Sequence, residues 1–147
     1  MSNRLSFTNY DFSKRASAIF DMLKDILPYQ KVYPEYSYHR ILSRYYKLKG
    51  IDPSVWNRHL LSQTKLRADF FIPDFNVVIE VDGEQHYKPV RFGGITSDQA
   101  RCILAEQRHR DSLKNRICTE SECRLVRIKF DQEINKDTLL ELIRERG

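Results

Sequence analysis

The apolar residues of this chain change period along its length, and the changes mark its elements. Ala16, Ile19, Phe20, Leu23 and Ile26-Leu27 recur at three- and four-residue steps. That spacing predicts a helix over 12–27, with Ser13 as its cap and Pro28 as its stop. Tyr38, Ile41-Leu42, Tyr45-Tyr46 and Leu48 keep the same rhythm up to Gly50. A further helix holding Val55, Trp56, Leu60 and Leu61 follows, with Asp52 or Ser54 as cap. From residue 67 the pattern shortens. Arg67-Ala68-Asp69-Phe70-Phe71-Ile72 and Val77-Val78-Ile79-Glu80-Val81-Asp82 are apolar runs of strand length, separated by Pro73-Asp74-Phe75-Asn76. Turn formers between two such runs predict an antiparallel hairpin. A long helix over 97–119 with Ser97 as cap, a β-rich segment from Arg124 to Phe130 and a helix over 136–146 complete the series. The order α, helical insert, β, β, α, β, α predicts an α/β fold, a mixed sheet flanked by helices.

The polar residues that interrupt these runs are the candidate chemistry. Period-two geometry puts Glu80 and Asp82 on one strand face, and the hairpin brings Asp69 near them. Like charges on one face repel, and burial makes them costlier. A divalent cation reverses that cost, because hard cations take carboxylate oxygens. Next comes His86, within Gly83-Glu84-Gln85-His86-Tyr87. A lone histidine is usually structural, but one close to three acids is a candidate general base or transition-state stabiliser. Leu104, Asp111 and Cys118 are spaced by sevens and share a helix face, so Asp111 interrupts an inward stripe. A carboxylate there requires a histidine, a cation or an arginine. Three of these four acids also have a plainer explanation, whereas a charge in the middle of an apolar strand, as at Glu80, points to function. Asp69 can pair with Arg67, Asp82 can shape the turn at Gly83, and Asp111 can bridge to Arg108 or Lys114 on its own helix. Asp74 belongs to the turn.

These residues, in this order, resemble the PD-(D/E)xK nuclease superfamily. The likeness is greatest to the branch of very-short-patch-repair endonucleases and related phage homing endonucleases, whose active sites are described as EDxHD. The matching residues are Asp69, then Ile79-Glu80-Val81-Asp82-Gly83-Glu84-Gln85-His86, then Arg110-Asp111 and Arg124-Leu125-Val126-Arg127. Gly83 to Val90 and Phe92-Gly93-Gly94 look like the phage-encoded members in particular. The resemblance covers residues 65–131. It implies a restriction-endonuclease-like fold, one domain over 1–147 with a helical insert at 28–66 before a catalytic core at 67–131. It also implies an endonuclease that hydrolyses DNA phosphodiester bonds. Asp69, Glu80 and Asp82 would bind Mg²⁺ or Mn²⁺, His86 would activate water or stabilise the leaving oxygen, and Asp111 would fix the His86 tautomer. Two departures stand out. The usual lysine two residues after the strand acid is replaced by Asp82, and the first helix offers Ser17 and Asp21 where the branch carries a glutamate.

Composition narrows the setting. The 147 residues are 31% charged and 41% hydrophobic, as expected of a soluble globular domain. No apolar run is long enough to cross a membrane, and the first residues lack the basic-then-apolar pattern of a signal peptide. The expected location is the cytoplasm of a bacterial or phage-infected cell. An odd count of three cysteines fits reduced thiols, and Cys118 with Cys123 is too small a set for structural zinc. Lysine and arginine exceed aspartate and glutamate by 25 to 20, a modest net charge of +5. Many of these cations fall in and near the insert. Arg40, Arg44, Lys47, Arg58, Lys65 and Arg67, with Lys88 and Arg91 beyond the hairpin, are candidate nucleic-acid contacts. Tyrosines and a tryptophan lie between them and either pack on bases or form the insert's own core, and helical spacing favours the core. Duplex DNA is the favoured partner. Sequence specificity from so small a protein would need a homodimer or a partner protein. The alternative is a non-catalytic nucleic-acid-binding or assembly module on a nuclease-like fold. A basic face that binds acidic protein is a third reading.

Overall fold

The hairpin strands are apolar on both faces because both faces are covered, which removes the usual in–out alternation from their sequences. In the computed structural model, which describes residues 14–83 and 94–145, four strands form one sheet in the order β1-β2-β3-β4. They are β1 (Tyr33–Ser37), β2 (Arg67–Ile72), β3 (Val77–Val81) and β4 (Arg124–Ile128). The helices are α1 (Lys14–Ile26), α2 (Tyr38–Lys49), the one-turn α3 (Arg58–Leu61), α4 (Ser97–Glu120) and α5 (Lys136–Arg144). β2 runs antiparallel to both β1 and β3, and β3 runs parallel to β4. A parallel pair needs a crossover, and α4 lies in that connection.

Helices cover each face of the sheet. Ala16, Ile19 and Leu23 of α1, with Leu139 and Ile143 of α5, form one core with Phe70, Ile72, Val77, Ile79 and Ile128. On the opposite face, Ile41, Leu42 and Tyr46 of α2 and Leu113 and Ile117 of α4 pack with Phe71 and Val78. Successive hairpin residues thus enter different cores. By the same alternation Asp69 and Glu80 lie on the face of Phe71 and Val78, under α2 and α4.

Three expectations are corrected. The segment expected as a purely helical insert from residue 28 opens with an edge strand, β1, and its helical part begins at Tyr38. Tyr33-Pro34-Glu35-Tyr36 hides that strand because it holds a proline and lacks an apolar alternation; an edge tolerates both. Stacking of Tyr36 on Phe71, 5.0 Å between ring centroids, anchors it. Asp52 caps only a 3₁₀ turn (Pro53–Val55), whereas the second insert helix is the short α3, capped by Asn57. At α4 the cap is Thr96 rather than Ser97, because Thr96 and Gln99 exchange side-chain and backbone hydrogen bonds in a capping box. Ser13, the expected cap of α1, lies outside the described residues.

Gly50 ends α2, as its position predicted, with a left-handed φ of 66°. A Cβ built there meets nothing within 4 Å, so Gly50→Ala carries only the conformational penalty. The expected cost is about 1 kcal/mol in chemical denaturation. A loss near zero would mean that the turn relaxes. Among the described residues no helix is long and apolar enough to cross a membrane.

Candidate functional site

A row of charged residues crosses the sheet beneath α4. Phe70 pairs with Ile79 and Phe71 with Val78, so the same register sets Asp69 opposite Glu80. Glu80 pairs in turn with Arg127 across the parallel step. On the other side, Pro34↔Phe70 and Tyr36↔Ala68 place Glu35 opposite Asp69. The backbone of Glu35 has a left-handed φ of 52°, rare for a residue with a Cβ. A cavity of about 330 Å³ opens over this row. Asp69, Glu80 and Lys114 line it, together with the cations Lys65, Arg67 and Arg110. A larger hollow of about 860 Å³ runs along α5 and includes neither carboxylate.

The environments of Asp69 and Glu80 follow from their position. Glu80 is 3% exposed. Tyr38, the first residue of α2, donates its hydroxyl to Oε2 at 2.5 Å, and the Lys114 ammonium lies 3.3 Å from Oε1. Burial pushes the Glu80 carboxyl up to about 7; Lys114 opposes the rise and Asp69 adds to it. Asp69 accepts the Val81 amide at Oδ2, 2.7 Å away. Its carboxyl is pushed up to about 6, first by burial and then by the charges of Glu35 and Asp82, against the pull of the Val81 amide and Lys114. Burial and the Glu80 charge hold the Tyr38 phenol protonated well above its usual range. Two facing carboxyl groups shifted toward neutrality and lining a cavity mark this end of the sheet as a candidate functional site.

Asp82 and Asp111 belong to a second cluster. Both oxygens of Asp82, itself 2% exposed, lie 3.3 Å from Arg127 Nη1. Asp111 Oδ1 is 3.6 Å from the same nitrogen and accepts from Gln107 at 3.2 Å. Arg127 loses hydration by burial, yet Asp82, Asp111 and Glu80 outweigh that loss and raise its pKa. Its Nη2 is buried and has no hydrogen-bond partner among the described residues. The carboxylate trio expected to hold a metal thus divides into Asp69 facing Glu80, and Asp82 turned to Arg127. Among the described residues no group of three or more His, Cys, Asp or Glu side chains is arranged to hold a metal ion.

The other candidates divide similarly. His86, Lys88 and Arg91 lie outside the described residues. Lys65 and Arg67 reach the cavity. Arg40 lies over the Tyr36 ring at 4.9 Å, Arg44 over Phe71 at 5.7 Å and Arg58 over Trp56 at 5.6 Å, and Lys47 is exposed. Tyr38 and Tyr46 of the insert are buried in the core shared with the sheet and α4, and Tyr46 stacks on Trp56 at 5.1 Å, whereas Tyr29 and Tyr33 are exposed. Asp21 pairs with Lys24 at 3.6 Å on an exposed face and does not line the cavity. Asp74 is exposed in the turn, as expected.

Tyr38, Lys114 and Glu35 are site residues that the sequence did not single out, and Arg110, quoted there only beside Asp111, lines the cavity. Lys114 carried one signal: it follows Asp111 by three and precedes Cys118 by four, on the inward stripe of α4. Comparison with protein families, with curated proteins and with solved structures finds no match for this chain.

Proposed function

We propose that the protein is a metal-dependent endonuclease that hydrolyses DNA phosphodiester bonds, of the PD-(D/E)xK type. The observation that carries this reading is Asp69 facing Glu80 across the β2–β3 hairpin, in a cavity also lined by Lys65, Arg67 and Arg110. Carboxylates beside surrounding cations match the needs of a phosphodiester with a divalent ion. The mixed four-stranded sheet with helices on both faces supports it at the level of fold.

The donors suit Mg²⁺ or Mn²⁺. Asp69 and Glu80 are hard oxygen ligands in adjacent register, and their proximity to Lys114 means that the position already takes positive charge. Asp69 and Glu80 would hold the ion, which would polarise the scissile phosphate and offset its growing charge. Asp82 and Asp111 fix the Arg127 guanidinium beside them. His86, four residues beyond Asp82 in sequence, takes the proton of the attacking water. Lys65, Arg67 and Arg110 hold the flanking phosphates.

The test is incubation with supercoiled plasmid, linear duplex and single-stranded DNA in Mg²⁺, Mn²⁺ or EDTA. Cutting should require the metal and should vanish in Asp69→Ala and His86→Ala, while both variants keep salt-dependent DNA binding. Near wild-type cleavage by both variants would reject the assignment. One observation favours a second reading, a non-catalytic nucleic-acid-binding module: both Glu80 oxygens are already engaged, by Tyr38 and Lys114. Metal-insensitive DNA binding without cutting would select it.

A further inference from the structure

Lysine is seldom buried, because its ammonium loses hydration in a core. Lys114 is 9% exposed and lies between Leu113 and Ile117 on the inward side of α4. Its Nζ is 3.3 Å from Glu80 Oε1 and 5.7 Å from the centroid of the Tyr38 ring. It also lines the cavity beside Asp69. Its positive charge therefore occupies the place between the facing acids and the open space above them.

The partners of Glu80 differ in freedom. Tyr38 is fully buried and its donor sits on a rigid ring packed among α2 and α4 residues. Lys114 carries its charge on a flexible four-carbon stem with a cavity next to it. A second cation can reach Glu80 most readily by replacing the ammonium, not the phenol.

We propose that the Lys114 ammonium is an internal placeholder for the divalent cation. It holds Glu80 beside Asp69 in the metal-free protein, and it is displaced from Glu80 into the cavity, toward the substrate phosphate, when the metal binds. This rests on the nuclease reading above and adds an order of events. Metal entry without DNA leaves an ammonium without its carboxylate, and DNA entry without metal leaves the phosphate without that ammonium. Each ligand then strengthens binding of the other, with equal coupling in both directions.

The test is Mn²⁺ binding to the full chain by titration calorimetry, without DNA, in the wild type, Lys114→Met and Glu80→Gln/Lys114→Met. Methionine keeps the apolar stem and removes the competing charge. Lys114→Met should bind Mn²⁺ about tenfold tighter than wild type and gain more in Tm at saturation. The double variant should lose that gain. A lysine that only ties α4 to β3 predicts unchanged or weaker binding in Lys114→Met, and that result overturns the proposal. Lys114→Gln provides the same comparison if the methionine variant does not fold. Mn²⁺ binding and DNA cutting by the wild type, with no tightening in either variant, would remove the placeholder alone. Absence of both Mn²⁺ binding and cutting in the wild type would remove the nuclease reading with it.

Discussion

Asp69→Asn is expected to yield a protein that is more stable than wild type in EDTA at pH 8, by about 2 kcal/mol, and unable to cut DNA. The Asp69 carboxyl is raised from 3.8 to about 6 in the fold. Between those values the folded protein binds more protons than the unfolded chain, so stability falls as pH rises through the window. Above pH 6 the full penalty is present. A rise of that size corresponds to up to ~3 kcal/mol, and the half-buried position of Asp69 reduces it. Asparagine keeps an oxygen to accept the Val81 amide and removes the charge that faces Glu80. Urea unfolding from pH 4 to pH 8 should show the gap opening from about pH 4 to about pH 7, as first Asp69 and then the Glu80 it faces ionise, and staying level beyond. A gap that is flat with pH, or that favours the wild type at pH 8, would refute the electrostatic account. In Mg²⁺ or Mn²⁺ the same variant should lose roughly three orders of magnitude or more in cleavage rate, because the proposed mechanism makes Asp69 a ligand of the reacting ion. Gain of stability with loss of activity at one residue is the signature of a strained functional group.

Arg127→Leu is expected to destabilise the protein by about 3–5 kcal/mol at neutral pH, the usual cost of removing one partner from a buried ionic cluster. Asp82 is almost fully buried, and the contacts of both its oxygens to this guanidinium are matched by a third from Asp111. Leucine fills much of the space and leaves two acids facing each other. The companion variant Asp82→Asn/Arg127→Leu should recover a substantial part of the loss, because it removes one of the two acids that share the guanidinium. If Arg127→Leu costs less than about 1 kcal/mol, the cluster is solvated and its role in ordering this side of the site is wrong.

Much of this arrangement was legible in the chain. The 67–82 hairpin followed from two apolar runs around Pro73-Asp74-Phe75-Asn76, and with it the meeting of Asp69 and Glu80. The end of α2 at Gly50 and the inward position of Asp111 followed from helical spacing. Periodicity reports which face a side chain takes, but not what it meets there. Lys114 appeared as a neighbour of Asp111 on its own helix, whereas it reaches across to β3, and Arg127 takes the place beside Asp111. Tyr38 looked like one member of an aromatic stripe, yet its hydroxyl is committed to Glu80. β1 escaped because an edge strand needs little of the sequence pattern that a central strand requires.

The hydrogen bond from Val81 to Asp69 gives the end of the sheet a second meaning. Past Ile79, this amide of β3 is held by a side chain of β2 rather than by its backbone. The final rung of the ladder is therefore made by a group whose charge changes with pH near 6. Fraying of the hairpin end and protonation of Asp69 become one equilibrium. The exchange rate and resonance position of the Val81 backbone amide report that equilibrium directly, with no substrate or turnover.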